Sequence, residues 1–289
     1  MEAVEDVVII GAGIAGLATS LGLHRLGIRS LVLESADSLR TTGFGLSLWT
    51  NAWKAVDAIG IGEILRAKHH KLSGIVTTSV TSGITTSDRP FTATEAQFDH
   101  EVRCVNRKFL LETMENELPK GTIRYSSKVV HMEIDGRFKS IHLADGTVLK
   151  TKVLIGCDGV NSVVAKFLGF NKPAFVARSV VRGISYFEDG HGFEPKVMHF
   201  FGNGIRYGVI PMDDYAVYWF FNFKPSPQEK EIEEDPTKLK QFILSNLGKV
   251  SDKIKEMYQK TELNDMICSQ LRFRPPWEVL WGNITKDNI

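Results

Sequence analysis

Residues 7–34 read VVIIGAGIAGLATSLGLHRLGIRSLVLE. The apolar run Val7 to Ile10 predicts a buried strand. A glycine turn, an amphipathic helix and a second strand follow, Ser30 to Leu33, closed by Glu34. The turn is Gly-x-Gly-x-x-Gly, made by Gly11, Ala12, Gly13, Ile14, Ala15 and Gly16, and seventeen residues separate Gly16 from the acid. Gly11 permits the tight turn, Gly13 lets the backbone approach a pyrophosphate, and Gly16 lets helix and strand pack closely. The first-turn N–H groups and the helix dipole favour a diphosphate. Glu34, at the carboxyl end of its strand, can accept the hydroxyls of an adenosine ribose. A glycine turn alone is a weak signal. With a strand before it, a helix after it and an acid at this distance, it implies an α/β, Rossmann-like dinucleotide-binding domain of the ββα type.

Val7 through Leu23 carry no charge, but Glu2, Glu5 and Asp6 precede them where an export signal carries basic residues. Three glycines at turn spacing, and a run shorter than a bilayer span, argue against a transmembrane helix. The chain is therefore read as soluble and cytoplasmic. Its 289 residues allow one large or two medium domains, and 43% apolar and 24% charged residues are ordinary for a globular protein. Thirty-five basic against thirty-four acidic residues give a formal charge of +1, which offers nothing to nucleic acid or an anionic membrane. Cys104, Cys157 and Cys268 are too few and too scattered for a disulfide framework or a zinc site. His69 and His70 lie in the basic stretch KHHK and read as a solvated face; no metal is implied.

Beyond Glu34 the pattern predicts one helix from Asn51 to about Arg66, then a β-hairpin over Leu72 to Phe91 with Ser82-Gly83 at its turn. Asn106 to Leu118 predicts a helix capped by Asn106, with Pro119 just past its end. Short strands follow at Ile123–Ser126, Val129–Ile134, Ser140–Leu143 and Val148–Ile155, with Asp135-Gly136 and Asp145-Gly146 at turns. From Ala177 to Phe223 β-branched and aromatic residues dominate and predict an antiparallel sheet of a second domain. Its rings, Phe200, Phe201, Tyr207, Tyr218, Trp219, Phe220 and Phe221, either line an apolar pocket or simply pack the sheet. The acidic run Glu229 to Asp235 reads as solvated surface; Asp235 and Pro236 open a helix that Gly248 ends, and another passes through Ile254 and Tyr258.

Two further elements carry chemistry. Val153 to Gly169, VLIGCDGVNSVVAKFLG, is a strand running into Asp158-Gly159, where a carboxylate can reach another ribose hydroxyl. Arg107 opens the helix RKFLLETM, with Leu110 and Met114 on its inner face. Alone, the first is only a turn and the second a surface arginine. Together with Gly11, Gly13, Gly16 and Glu34, with Arg40, Gly43-Phe44-Gly45-Leu46 and Asn51-Ala52, and with Gly204 to Pro211, they resemble the FAD-dependent aromatic-ring monooxygenases of the para-hydroxybenzoate hydroxylase-like group. The likeness is strongest to its plant monooxygenase 1 and salicylate-hydroxylase-like branch. No Arg-x-Gly-Gly-Arg follows Glu34, as in amine oxidases, and no Trp-x-Trp-x-Ile-Pro appears, as in flavin halogenases.

The resemblance covers essentially the whole chain. It implies FAD as cofactor, NAD(P)H as electron donor, and hydroxylation of a small aromatic or related substrate with O2 through a flavin hydroperoxide. It implies that Gly11 to Gly16 and Glu34 hold the adenosine diphosphate half, that Arg107 stabilises the cofactor, that Asp158 and Gly159 contact FAD, and that Arg40 joins them. It divides the chain into an FAD-binding domain (residues 1–70, 101–170 and 265–289) and a substrate domain (residues 71–100 and 171–264). No substrate base and no oligomeric state follow from it.

Two departures stand out. Three positions after Ser162, where the family carries an arginine, this chain has Ala165 followed by Lys166. At the other end, a segment like WGNITKDNI leads in the family to a further strand and a Gly-Asp motif, and here the sequence ends at Ile289. The expectation is of a fragment or splice form, or of a shortened protein with altered function. The alternatives to the oxygenase are a non-catalytic FAD- or nucleotide-binding form with a regulatory or partner role, and an NAD-dependent dehydrogenase using only the first motif.

Overall fold

Val-Val-Ile-Ile ahead of the glycine turn is a run that water excludes from any exposed edge, and it forms the middle of a sheet. The computed structural model describes residues 4–92, 100–226 and 232–281. In chain order the elements begin β1 (Val4–Ile10), α1 (Ile14–Arg25), β2 (Leu31–Leu33), β3 (Gly45–Leu48), α2 (Thr50–Ala58), α3 (Gly62–Arg66), β4 (Gly74–Ser79) and β5 (Thr85–Pro90). They continue β6 (Arg103–Asn106), α4 (Arg107–Asn116), β7 (Ile123–Arg124), β8 (Val129–Asp135), β9 (Phe138–Leu143), β10 (Val148–Gly156), α5 (Val163–Phe167), β11 (Ala174–Tyr186) and β12 (Lys196–Gly202). The last are β13 (Ile205–Pro211), β14 (Ala216–Phe223), α6 (Pro236–Asn246), α7 (Asp252–Lys260), β15 (Met266–Phe273) and α8 (Pro276–Trp281).

A six-stranded sheet has the order β7-β2-β1-β10-β9-β8. Its centre is parallel, β1 lying between β2 and β10, and it becomes antiparallel through β9 and β8. Ile9, Leu17, Leu21, Val32, Leu110, Leu111 and Met114 pack one face against α1 and α4. Val8, Ile10, Leu33 and Leu154 pack the other, against Val129, Met132 and Val164. This sets the carboxyl ends of β1, β2 and β10 side by side, where an open parallel sheet takes its ligand.

The seven-stranded sheet has the order β15-β11-β14-β13-β12-β4-β5. One face is covered by α6 and α7, with Trp219, Tyr207, Phe221 and Phe200 meeting Leu239, Ile243, Met257 and Tyr258. Part of the opposite face carries Ile184, Tyr218, Ile210 and Val197, packed with Leu72, Val102, Phe44 and Cys104 of β6, which pairs with β3 in a separate two-stranded sheet. Most of the aromatic rings thus follow the plain packing reading; Phe220 and Phe201 lie on the face away from α6 and α7.

Four expectations change. The helix over Asn51–Arg66 is two helices, because Gly60 takes a left-handed φ of +80° and the Ile61 N–H turns back to Val56 O. The second sheet is antiparallel except at one pair, since β4 runs parallel to β12. Strand β15, within the segment 265–289 expected with the FAD-binding domain, pairs with β11 in the other sheet. His69, expected on a solvated face, is buried at 3% exposure, while its neighbour His70 is not. Residues 229–231 of the acidic run and 282–289 of the final segment lie outside the described residues.

Candidate cofactor-binding site

A cleft of about 500 Å³ opens across the carboxyl ends of β1, β2 and β10. Its walls include Gly11, Ala12, Gly13, Glu34, Arg40, Arg107, Asp158 and Gly159, which the sequence marked from four separate stretches. Ile14, Ala15 and Gly16 form the first turn of α1 directly behind it.

The three glycines are constrained differently. Gly11 has φ +101°, and a Cβ there would sit 2.5 Å from Cys157 O. At Gly16 a Cβ would lie 1.9 Å from Gly11 O, so the helix could not approach its strand. At Gly13 a Cβ would meet no protein atom within 4 Å, and φ is −77°, open to any residue. Nothing in the polypeptide requires glycine at 13, and the space beside it opens into the cleft. Gly13 is also the N-cap of α1, with no side-chain cap and no acid in the first turn, which leaves the amides of that helix's first turn facing the cleft without a side-chain partner.

Glu34 is 2% exposed. A carboxylate this deep needs partners, and it has them: Oε2 accepts the Ala12 N–H at 3.0 Å, and Oε1 accepts the Ala36 N–H at 2.9 Å. Arg40 reaches Oε1 at 2.9 Å, and the Ser35 hydroxyl donates to the same oxygen at 3.2 Å. Burial alone would raise its pKa; the Ala36 and Ala12 amides, then Arg40 and Ser35, outweigh it and hold the carboxyl below its ordinary value. Arg107 is locked by its own carbonyl contacts, donating through one guanidinium nitrogen to Thr42 O at 2.6 Å and Arg40 O at 3.2 Å, while its backbone N–H meets Phe44 O at 3.0 Å. Burial, then the Arg40 charge, lower its pKa from the usual arginine value. A backbone turn at Gly43, φ +99°, makes room for its side chain.

Asp158 reaches the same cleft with its carboxylate turned inward to its own helix. Oδ1 accepts the Ser162 hydroxyl at 2.6 Å, and Oδ2 accepts the Val163 and Val164 N–H groups at 2.6 and 3.3 Å. Ala165, where the family has arginine, gives its N–H to Ser162 Oγ at 2.8 Å and lines a separate groove beside β10 with Leu168, Phe170 and Arg274. The cleft wall from Ser127 to Val129 was missed in the sequence. It is placed there by Ser127 N–H to Glu34 O, 2.8 Å, and Ser126 N–H to Ala36 O, 2.7 Å, contacts that leave no pattern in the residues themselves. No group of side chains among the described residues is arranged to hold a metal ion, and none of their helices is long and apolar enough to cross a membrane.

Comparison with known proteins agrees with this geometry. Residues 5–274 match the family described as "FAD binding domain". The chain is 49% identical over 288 residues to "Monooxygenase 2" of Arabidopsis thaliana, covering 100% of this chain and 70% of that protein. It is 36% identical over 286 residues to "Monooxygenase 1" of the same plant, covering 98% of this chain and 70% of the relative. Within the plant branch, Monooxygenase 2 is thus more similar than the Monooxygenase 1 the motifs suggested. Among solved structures, the Klebsiella pneumoniae HpxO complexed with FAD and uric acid superposes with a TM-score of 0.80 at 19% identity, over 93% of this chain and 68% of that one, a likeness of fold. Glycine turn, buried acid and matched sequence converge, and the chain belongs to the FAD-binding-domain family, among its FAD-dependent aromatic-ring monooxygenases.

Proposed function

We propose that this FAD-dependent monooxygenase, using O2 and NAD(P)H, hydroxylates a small aromatic substrate bearing an anionic group, held against the open face of the seven-stranded sheet. In this reading FAD lies along the cleft. Gly11 to Gly16 and the first turn of α1 receive the diphosphate, Glu34 the adenosine ribose hydroxyls, and Arg40 and Arg107 flank the cofactor, with Asp158 and Gly159 on the far wall. Bound flavin supplies the oxygen chemistry; the polypeptide binds, orients and excludes water. The proposal places the protein in the cytoplasm, where NAD(P)H is at hand.

The observation that carries the substrate reading is one row across five strands. Arg182 lies opposite Phe220, Phe220 opposite Gly208, Gly208 opposite His199, and His199 opposite Thr77, all on the face away from α6 and α7. Arg182, Phe220 and His199 are half-buried. Gly208 has the role of a gap: a Cβ there would sit 2.4 Å from the Phe220 ring, which instead lies across to His199 with centroids 5.9 Å apart. Beside the row, the Tyr218 hydroxyl is raised to about 12 by burial, and Arg182 acts against that rise. A cation, an apolar ring wall and an imidazole held neutral by burial suit a flat, anionic aromatic.

The row is close to the cleft. A Cβ on Gly43 would touch Arg107, and one on Gly45 would lie 3.0 Å from Tyr218. The two glycines are two residues apart, at most about 7 Å of chain. The test is NAD(P)H oxidation with a panel of small aromatics, with 18O2 to follow the oxygen. We expect aromatic carboxylates or similar anions to stimulate turnover, and Phe220→Ala to raise KM by about tenfold, as befits loss of a ring contact and its burial. Stable FAD binding with no NAD(P)H consumption under any substrate would favour the non-catalytic FAD-binding alternative. Turnover indifferent to Phe220 would remove the sheet face from the substrate site.

A further inference from the structure

The KHHK stretch contains a histidine that the fold has drawn inward. His69 is 3% exposed and sits where the end of α3, the β6–α4 junction and the turn after β13 meet. Its Nδ1 is 2.8 Å from Leu65 O, and its Nε2 is 3.0 Å from the backbone nitrogen of Asn106. A carbonyl only accepts and an amide N–H only donates, so the two partners fix one tautomer: neutral imidazole, with its proton on Nδ1. Asn106 is the N-cap of α4, its Oδ1 accepting the Phe109 N–H at 3.1 Å, and the next residue is Arg107. The Phe109 ring lies 5.7 Å from the imidazole.

We propose that His69 is a positioning residue for the cofactor site: as a neutral acceptor it fixes the Asn106 cap and, through it, the start of α4 from which Arg107 reaches the cleft. Protonation puts a second N–H on Nε2, facing the Asn106 N–H, and the contact is lost. Every charged group facing the ring bears on that event. Burial is the largest effect and disfavours the charged form; the Leu65 carbonyl and Asp213 favour it, while Arg103 and His70 oppose it, and the outcome is a pKa below the ordinary histidine value. His70 itself lies 3.7 Å from Asp214. Since the folded value is lowered, the contact and its contribution to stability are intact above the unfolded histidine range, and both are lost as pH falls through the folded value.

The proposal rests on the reading of Arg107 as a cofactor contact, so Arg107→Ala is measured alongside. FAD affinity is followed by flavin fluorescence from pH 8 downward for the wild type, His69→Gln and His69→Phe. Glutamine keeps an acceptor and cannot titrate; phenylalanine fills the space with no acceptor. We expect His69→Phe to weaken FAD roughly tenfold at neutral pH, because the start of α4, and Arg107 with it, is no longer held in place for the cofactor. We expect His69→Gln to stay within about threefold of the wild type and to lack the wild type's decline below the histidine range. Identical pH profiles for the wild type and His69→Gln overturn the proposal, and this comparison stands even if His69→Phe fails to fold. Unchanged affinity in His69→Phe while Arg107→Ala weakens binding overturns it for His69 alone; unchanged affinity in Arg107→Ala overturns the reading beneath it.

Discussion

Two strand–turn–helix corners face each other across the cleft, and they treat their helix N-termini in opposite ways. At the β1–α1 corner the cap is Gly13, which brings no side chain to the first turn. At the β10–α5 corner Asp158 takes the Val163 and Val164 N–H groups and Ser162 takes that of Ala165. The first leaves donors for an outside anion. The second has used its own, and a carboxylate stands where a phosphate would be repelled. In the proposed reading the first corner is the binding surface and the second a stabilised wall. The acids show the same division. Glu34 is held by the Ala12 amide of the neighbouring corner as well as by Ala36 just after it, whereas Asp158 is held by the helix that immediately follows it.

If this contrast is right, the largest effect belongs to Gly13→Val. The added side chain meets no protein atom near its Cβ, so the variant keeps the melting temperature of the flavin-free wild type within a few degrees yet shows no measurable FAD binding. Gly16→Val, with its Cβ 1.9 Å from Gly11 O, instead loses about 1–3 kcal/mol of stability or more, seen in urea unfolding. Glu34→Ala comes next. Charge-assisted hydrogen bonds to ribose hydroxyls contribute about 1.5–3 kcal/mol each, so FAD affinity falls at least roughly tenfold by fluorescence titration. Unchanged affinity in a folded protein would show that Glu34 only braces the turn. Asp158→Ala has the smallest effect on the cofactor: it costs about 0.5–2 kcal/mol of stability through the lost bonds to the Val163 and Val164 N–H groups, with a smaller change in FAD affinity than Glu34→Ala. If Asp158→Ala proves the more damaging to binding, the wall is a ligand surface and the contrast fails.

What the sequence made legible follows from how local each requirement is. Gly11 and Gly16 are demanded by atoms within one turn, Glu34 by the neighbouring strand, and Asn106 by a helix three residues on; these can be read from spacing. The parallel pairing of β4 with β12 joins residues more than a hundred positions apart, and no alternation in either strand announces it. His69 was hidden for a related reason. KHHK is polar by composition, and only the arrival of Asn106, thirty-seven residues later, gives that ring a buried partner. The row of Arg182, Phe220 and His199 was half visible: the rings could be counted, but which face each takes depends on register. Asp158 lines the cleft, while its inward carboxylate was not foreseeable from a motif that names only the residue.

The most direct measurement is the visible spectrum of the purified 289-residue chain and of its Gly13→Val variant after incubation with FAD and gel filtration, with circular dichroism on the same samples. The wild type should carry stoichiometric flavin and the variant none, at matching helix content, and the two should melt at matching temperatures once flavin is stripped from the wild type. A folded but colourless wild type, or equal flavin in both proteins, would contradict the assignment of the glycine turn as the seat of the cofactor.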